Sequence, residues 1–98
     1  MVQINWTEKS SKHLEAIFEY IAHDSKVYAG RFVKSIIKST FILKTQIFAG
    51  RVVPEIGDES IREIFYRDYR IIYKVMSKDS VEILAVYHGA MNIQKINT

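Results

Sequence analysis

The sequence predicts an α+β domain in the order β-α-α-β-β-β, a helix hairpin packed on a small, mainly antiparallel sheet. Two observations carry this. Apolar residues recur at helical spacing through the first half of the 98-residue chain. From residue 61 onward they alternate instead, in three short runs separated only by turns. Strands joined by connections this short pair antiparallel, because a parallel crossover needs a much longer link.

The elements follow in order. Val2, Ile4 and Trp6 alternate with polar residues and predict a short first strand. Thr7 caps the helix after it, and Glu8 suits that helix's positive end. Leu14, Ile17, Phe18 and Ile21 mark one face of this helix. Asp24 or Ser25 caps a second helix, with Phe32, Ile36, Leu43 and Ile47 on one stripe and Val33 and Ile37 beside it. Gly30 is expected to let the helices approach closely. Helices joined this tightly form an antiparallel hairpin.

Residues 48–60 hold the only proline and read as a loop. Strands are expected at 61–66, 69–76 and 81–88, with turns at Arg67-Asp68 and 77–80. The expected organisation is a single domain over 1–98, with a helix hairpin at 8–48, a three-stranded sheet at 61–88 and a C-terminal tail at 89–98.

Composition bounds the function. Apolar residues make up 48% of the chain, which suits a folded globule. No cysteine is present, so neither disulfides nor cysteine metal sites are available. No apolar run approaches the ~18 residues of a membrane helix, and the opening residues do not resemble a signal peptide. A cytoplasmic protein without membrane contact is expected. The net charge of +3 permits an anionic partner without demanding one.

The stretch "IREIFYRDYRIIYKV" carries Arg62, Arg67, Arg70 and Lys74 inside sheet-forming sequence. Strand alternation places Arg70 and Lys74 on one side of their strand, with Arg62 and His88 on mixed faces of the neighbours. If the register allows, Arg62, Arg70, Lys74 and His88 share one half-apolar surface. Arg70, at a strand centre, suits bidentate capture of phosphate or carboxylate. Lys74 reads more simply as a solvated residue paired across strands with Glu63 or Glu82. His13 and His23 fall on outer parts of the first helix. Neither metal-ligand spacing, a phosphate-binding glycine loop nor a nucleophile triad is present, and no cofactor is expected.

Four segments in order, "INWTEKSSKHLEAIFEYI", "GRVVPE", "IREIFYRDYRIIYKV" and "VEILAVYHGA", resemble the RelE/ParE superfamily of toxins from type II toxin–antitoxin, or plasmid stabilisation, modules. The resemblance spans about residues 2–90 and is closer to the ParE-like branch. It implies a growth-inhibiting toxin neutralised by a cognate antitoxin that wraps around it, with oligomers possible. ParE-like members inhibit DNA gyrase. RelE/YoeB-type members are ribosome-dependent mRNA endoribonucleases that need no metal. Under that alternative, the resemblance makes Glu55 the general base, Arg70 the phosphate clamp and His88 the general acid. Arg51 and Arg62 then assist at the backbone, Lys74 adds charge, and Tyr66 or Tyr87 stacks a base.

The chain departs from these patterns. Gly89 follows His88, the second sheet strand offers no lysine, and Met91 stands where the family places an arginine. An inactive toxin and a non-toxic RNA-binding module are therefore further alternatives.

Overall fold

The computed structural model describes residues 1–89. Strand β1 (Gln3–Trp6) leads into helix α1 (Glu8–Ala22) and helix α2 (Lys26–Ser39), then a 3-10 turn (Thr40–Lys44). Four strands follow: β2 (Arg51–Val52), β3 (Ile61–Tyr66), β4 (Tyr69–Ser77) and β5 (Ser80–His88). They form one five-stranded sheet in the order β1-β5-β4-β3-β2. β1 pairs with β5 in parallel, and every other neighbour is antiparallel. The α+β class and the helix hairpin stand as expected.

Both helix starts follow from their caps. The Thr7 hydroxyl accepts from the Ser10 amide at 3.1 Å, and Ser25 accepts from Tyr28 at 3.1 Å. Helix α2 ends at Ser39, earlier than the apolar stripe through Leu43 and Ile47 suggests. Ser39 and Thr40 turn their hydroxyls back onto the carbonyls of Ile36 and Ile37. Such local bonds compete with the helical ladder, and the chain tightens into the 3-10 turn. Gly30 does not serve close packing: a Cβ there would meet nothing within 4 Å.

The core lies between the helix pair and one face of the sheet. Ile17, Phe32, Ile36 and Leu43 meet Ile71, Tyr73, Val81, Ile83 and Val86. The opposite face is not simply polar. Val53, Ile61, Ile72 and Ala85 form a second buried cluster on it.

The sheet is not the expected three strands at 61–88, because β1 joins it in parallel beside β5 and β2 extends its other edge. β2 is only two residues long and sat inside the expected loop. A β-bulge in β5 matches Ile72 to Ala85 but Tyr73 to Ile83, which leaves Leu84 as the extra residue. Glu82 and Val86, expected on one side, therefore fall on opposite faces.

Beyond Trp6, β1 no longer covers β5, and α1 closes that edge with side chains. His13 Nδ1 accepts from the Val86 amide at 3.1 Å, which fixes the neutral tautomer with its proton on Nε2. Burial, then the charge of Lys9, lowers the His13 pKa below its ordinary 6.5. In that range the unfolded chain binds the proton more readily than the folded one. The His13 contribution is therefore complete above the ordinary value and is lost as pH falls below it. We expect the parent to lose stability between about pH 7 and pH 5, relative to His13→Gln, by at most about 1.4 kcal/mol per pH unit. Thermal melts of both proteins across that range test this, and parallel curves would dismiss it.

Candidate functional site

Of the sequence-derived candidates, Glu55, Arg70 and Arg51 come together on the helix-free face of β3 and β4, joined by Glu63. Arg70 is the second residue of β4, beside the β3–β4 turn and not at the strand centre expected from the sequence, and it is only 7% exposed. Its guanidinium holds Glu55 in a fork, Nη1 to Oε2 at 2.7 Å and Nη2 to Oε1 at 2.9 Å. Its Nε donates to Glu63 Oε1 at 2.6 Å. The other oxygen of Glu63 accepts from Arg51 Nε at 2.7 Å. A chain of alternating charge, Glu55–Arg70–Glu63–Arg51, thus crosses from the loop through the sheet to the edge strand.

Local structure explains each position. The two-residue turn at Arg67-Asp68 fixes Phe65 opposite Arg70 and Glu63 opposite Ile72. Opposed residues share a face, so Glu63 lies diagonally beside Arg70. Arg51 of β2 pairs directly with Glu63. Glu55 reaches Arg70 from the 53–57 turn, in which the amides of Ile56 and Gly57 both bond to Val53 O. Val53, fully buried, pins that turn to the sheet.

The electrostatics follow the geometry. The hydrogen-bonded Arg70 fork holds the Glu55 carboxyl at about 2, well below the usual carboxylate range. Glu55, then Glu63, raises Arg70 above the ordinary arginine value. No buried side-chain polar atom lacks a partner among the described residues. As a site, the cluster is an internally neutralised ladder, with each fork of Arg70 already filled by a carboxylate.

The remaining candidates separate. Arg62 is opposite Tyr73, on the helix side. It donates to Glu59 O and Gly50 O, each at 2.9 Å, and lies 4.8 Å over the Phe48 ring. His88 is opposite Tyr69, also on the helix side, with its ring edge-to-face at 5.6 Å. The surface shared by Arg62, Arg70, Lys74 and His88 therefore does not form: the register sends Arg62 and His88 one way and Arg70 and Lys74 the other.

Lys74 is opposite Glu82 in the β4–β5 register. Tyr87 is opposite Arg70, but its ring contacts His13 at 5.1 Å, with Lys9 5.9 Å away. Tyr66 meets Phe32 and accepts from Arg67 Nε at 3.4 Å. Met91 lies outside the described residues.

Sequence reasoning saw Glu63 only as a possible cross-strand partner, yet it is the buried hinge of the ladder, at 1% exposure. Counting back from the two-residue turn would have placed it beside Arg70. Gly50 was also passed over. Its amide donates to the Tyr73 hydroxyl at 3.0 Å, and that hydroxyl donates to Ile47 O at 2.8 Å, tying the loop before β2 to the core.

Comparison with known proteins agrees with this architecture. The fold is similar to a solved structure titled "Chromosomal ParDE TA system from P. aeruginosa", with a TM-score of 0.74 at 20% identity over 90% of this chain and 96% of that one. No curated protein matches the sequence. The family model for the ParE toxin of the type II toxin–antitoxin system parDE matches residues 4–93. With nearly the whole described fold inside that match, the chain belongs to the ParE toxin family.

Proposed function

We propose that this ParE-family toxin arrests growth by acting on DNA gyrase, is neutralised by a cognate antitoxin, and does not cleave mRNA. The gyrase target follows the ParE-like resemblance of the sequence. The antitoxin follows the family and the toxin–antitoxin title of the similar structure.

One observation weighs most against the nuclease alternative: its three candidate residues are not arranged around one phosphate. Arg70 spends its guanidinium on Glu55 and Glu63, so a phosphate would have to displace a buried or bidentate carboxylate. Glu55, held at about 2, is poorly matched to proton abstraction near neutral pH. His88 belongs to the opposite face of the sheet.

Induced expression in a bacterial host tests this, with plasmid supercoiling and new mRNA 5′ ends followed in the same culture. Growth arrest with altered supercoiling or DNA damage, intact messages and full potency in His88→Ala is the expected result. Message cleavage that His88→Ala abolishes would instead make the chain a nuclease. Growth with neither effect would leave the inactive-toxin or binding-module reading, with Met91→Arg as the next protein to test.

A further inference from the structure

We propose that the cavity between β1 and the 3-10 turn is a binding site for a small amphipathic anion, a monocarboxylate carrying a short apolar tail. The site lies at the edge of the sheet far from β2 and the charge ladder, and it does not depend on the gyrase reading.

The first observation is the cavity itself. Ser39 and Thr40 end α2 early, and the 3-10 turn that follows folds against β1, where the Val2 amide bonds to Lys44 O at 3.4 Å. The space between them is about 350 Å³, walled by Val2, Ile4 and Trp6 on one side and by Thr40, Phe41 and Lys44 on the other. That is the lower end of the range of small-ligand sites, ~300–1,000 Å³. Val2, Ile4 and Trp6 are only half-buried, and Phe41 is 46% exposed. Apolar side chains at the rim of the core are thus left partly uncovered, and an apolar tail completes their burial.

The second observation is charge. From Ser25 to Pro54 the chain carries six cations, Lys26, Arg31, Lys34, Lys38, Lys44 and Arg51, and no acidic residue. None of the residues lining the cavity is acidic. Among the described residues no carboxylate pairs with Lys44. Its ammonium lies 4.0 Å from the centre of the Phe41 ring. A ring face attracts the charge but accepts no N–H···O bond, so the ammonium donors remain available to an anion at this aromatic wall.

The third observation is a backbone donor outside the ladder. Gln3 and Thr7 turn their amides to β5, bonding to Asp79 O and Ile83 O, whereas Val2 turns its amide the other way, to Lys44 O. Alternation therefore turns the Ile4 amide away from β5, and β1 is the last strand on this edge. A carboxylate at the mouth of the cavity finds two donors of different kinds, the Lys44 ammonium and this amide, while its tail lies along Trp6 and Phe41. A cationic ligand would face Lys44 with no acid to offset it. A wholly apolar one would leave Lys44 unused.

The chain has one tryptophan, and it lines the cavity, so intrinsic fluorescence reads the site directly. The probe is octanoate, titrated against the full chain below the concentration at which it forms micelles. Octanoate is expected to shift the Trp6 emission saturably, while octylamine and acetate leave it unchanged over the same range. In isotope-labelled protein, octanoate should move the amide signals of Ile4 and Phe41 and the indole signal of Trp6, but not the amide signals of His13 or Arg70. Lys44→Gln keeps much of the stem over Phe41 and removes the charge. It should weaken octanoate about tenfold or more, to the level of 1-octanol. Phe41 lies outside the buried core, so Phe41→Ala should fold as the parent does and weaken octanoate about threefold.

Absence of an octanoate shift, an equal shift by octylamine, or unchanged affinity in Lys44→Gln would each overturn the proposal. So would signal changes spread over α1 and the whole sheet, since those would mean a surfactant coating the chain. None of these readouts involves growth arrest, so a failed gyrase reading and a failed anion site give different patterns.

Discussion

Glu63→Ala is expected to remove about 3–5 kcal/mol of folding stability, the cost of leaving buried charge without its partner. Glu63 is the joint on which the ladder turns: each oxygen accepts from a different arginine, at 2.6 and 2.7 Å. Arg51 can turn to water when Glu63 is lost, because its side chain is 58% exposed. Arg70 cannot, because only 9% of its side chain is exposed and the sheet fixes its Cα. One fork would remain on Glu55, with Nε buried and unpaired.

For a domain of this size each kcal/mol moves the thermal midpoint by about 4–8 °C, so the effect is large in a melt. Glu63→Gln keeps the shape and one acceptor and should fall between parent and alanine. Replacing Glu63, Arg70 and Glu55 together by leucine or methionine removes the charges along with their desolvation cost, and should recover much of the loss. Urea unfolding of the series measures this. A Glu63→Ala loss below about 1 kcal/mol would place the pair among surface ion pairs and dismiss the ladder as a structural element.

The same ladder marks the limit of what the sequence made legible. Helix caps at Thr7 and Ser25, the hairpin and the strand runs were readable because each depends on near neighbours in sequence. Arg70 and Glu55 were readable as charged residues in suspicious places. Their relation was not, because it depends on register, and register is a long-range property. The β3–β4 register was within reach, since a two-residue turn at Arg67-Asp68 fixes every pair from Tyr66 opposite Tyr69 to Ile61 opposite Lys74. It already separates Arg62 from Arg70.

The β5 face was beyond reach. The bulge at Leu84 reverses the alternation midway, and nothing in "VEILAVYH" announces it. β2 was hidden for a different reason: two residues are too few to show a period, and they are in the sheet because Glu63 and Gly50 hold them there.

Gly50→Ala is expected to cost about 3 kcal/mol, the upper end for forcing atoms into a filled site. A Cβ on Gly50 would stand 2.5 Å from Glu63 O and 2.8 Å from the Tyr73 ring. The first neighbour is the backbone of β3, and the second is a fully buried side chain packed in the main core. Neither can swing aside as a flexible surface side chain would. The backbone at Gly50 is also engaged on both sides, its amide with the Tyr73 hydroxyl and its carbonyl with Arg62. A displaced residue 50 therefore loses hydrogen bonds as well as gaining a clash.

Tyr73→Phe separates the two effects. It keeps the ring and removes only the hydroxyl, leaving the Gly50 amide and the Ile47 carbonyl without that partner, for about 1–3 kcal/mol. The two substitutions act on one contact, so the double variant should lose clearly less than the sum, with a coupling of at least about 0.5 kcal/mol. Strict additivity in urea unfolding would show that the loop is not seated through Tyr73. Because Arg51 follows Gly50 directly, unseating the loop also withdraws one of the two arginines from Glu63. Gly50→Ala should therefore couple to Glu63→Gln as well, in the same direction, although Glu63 Oε atoms never touch Gly50.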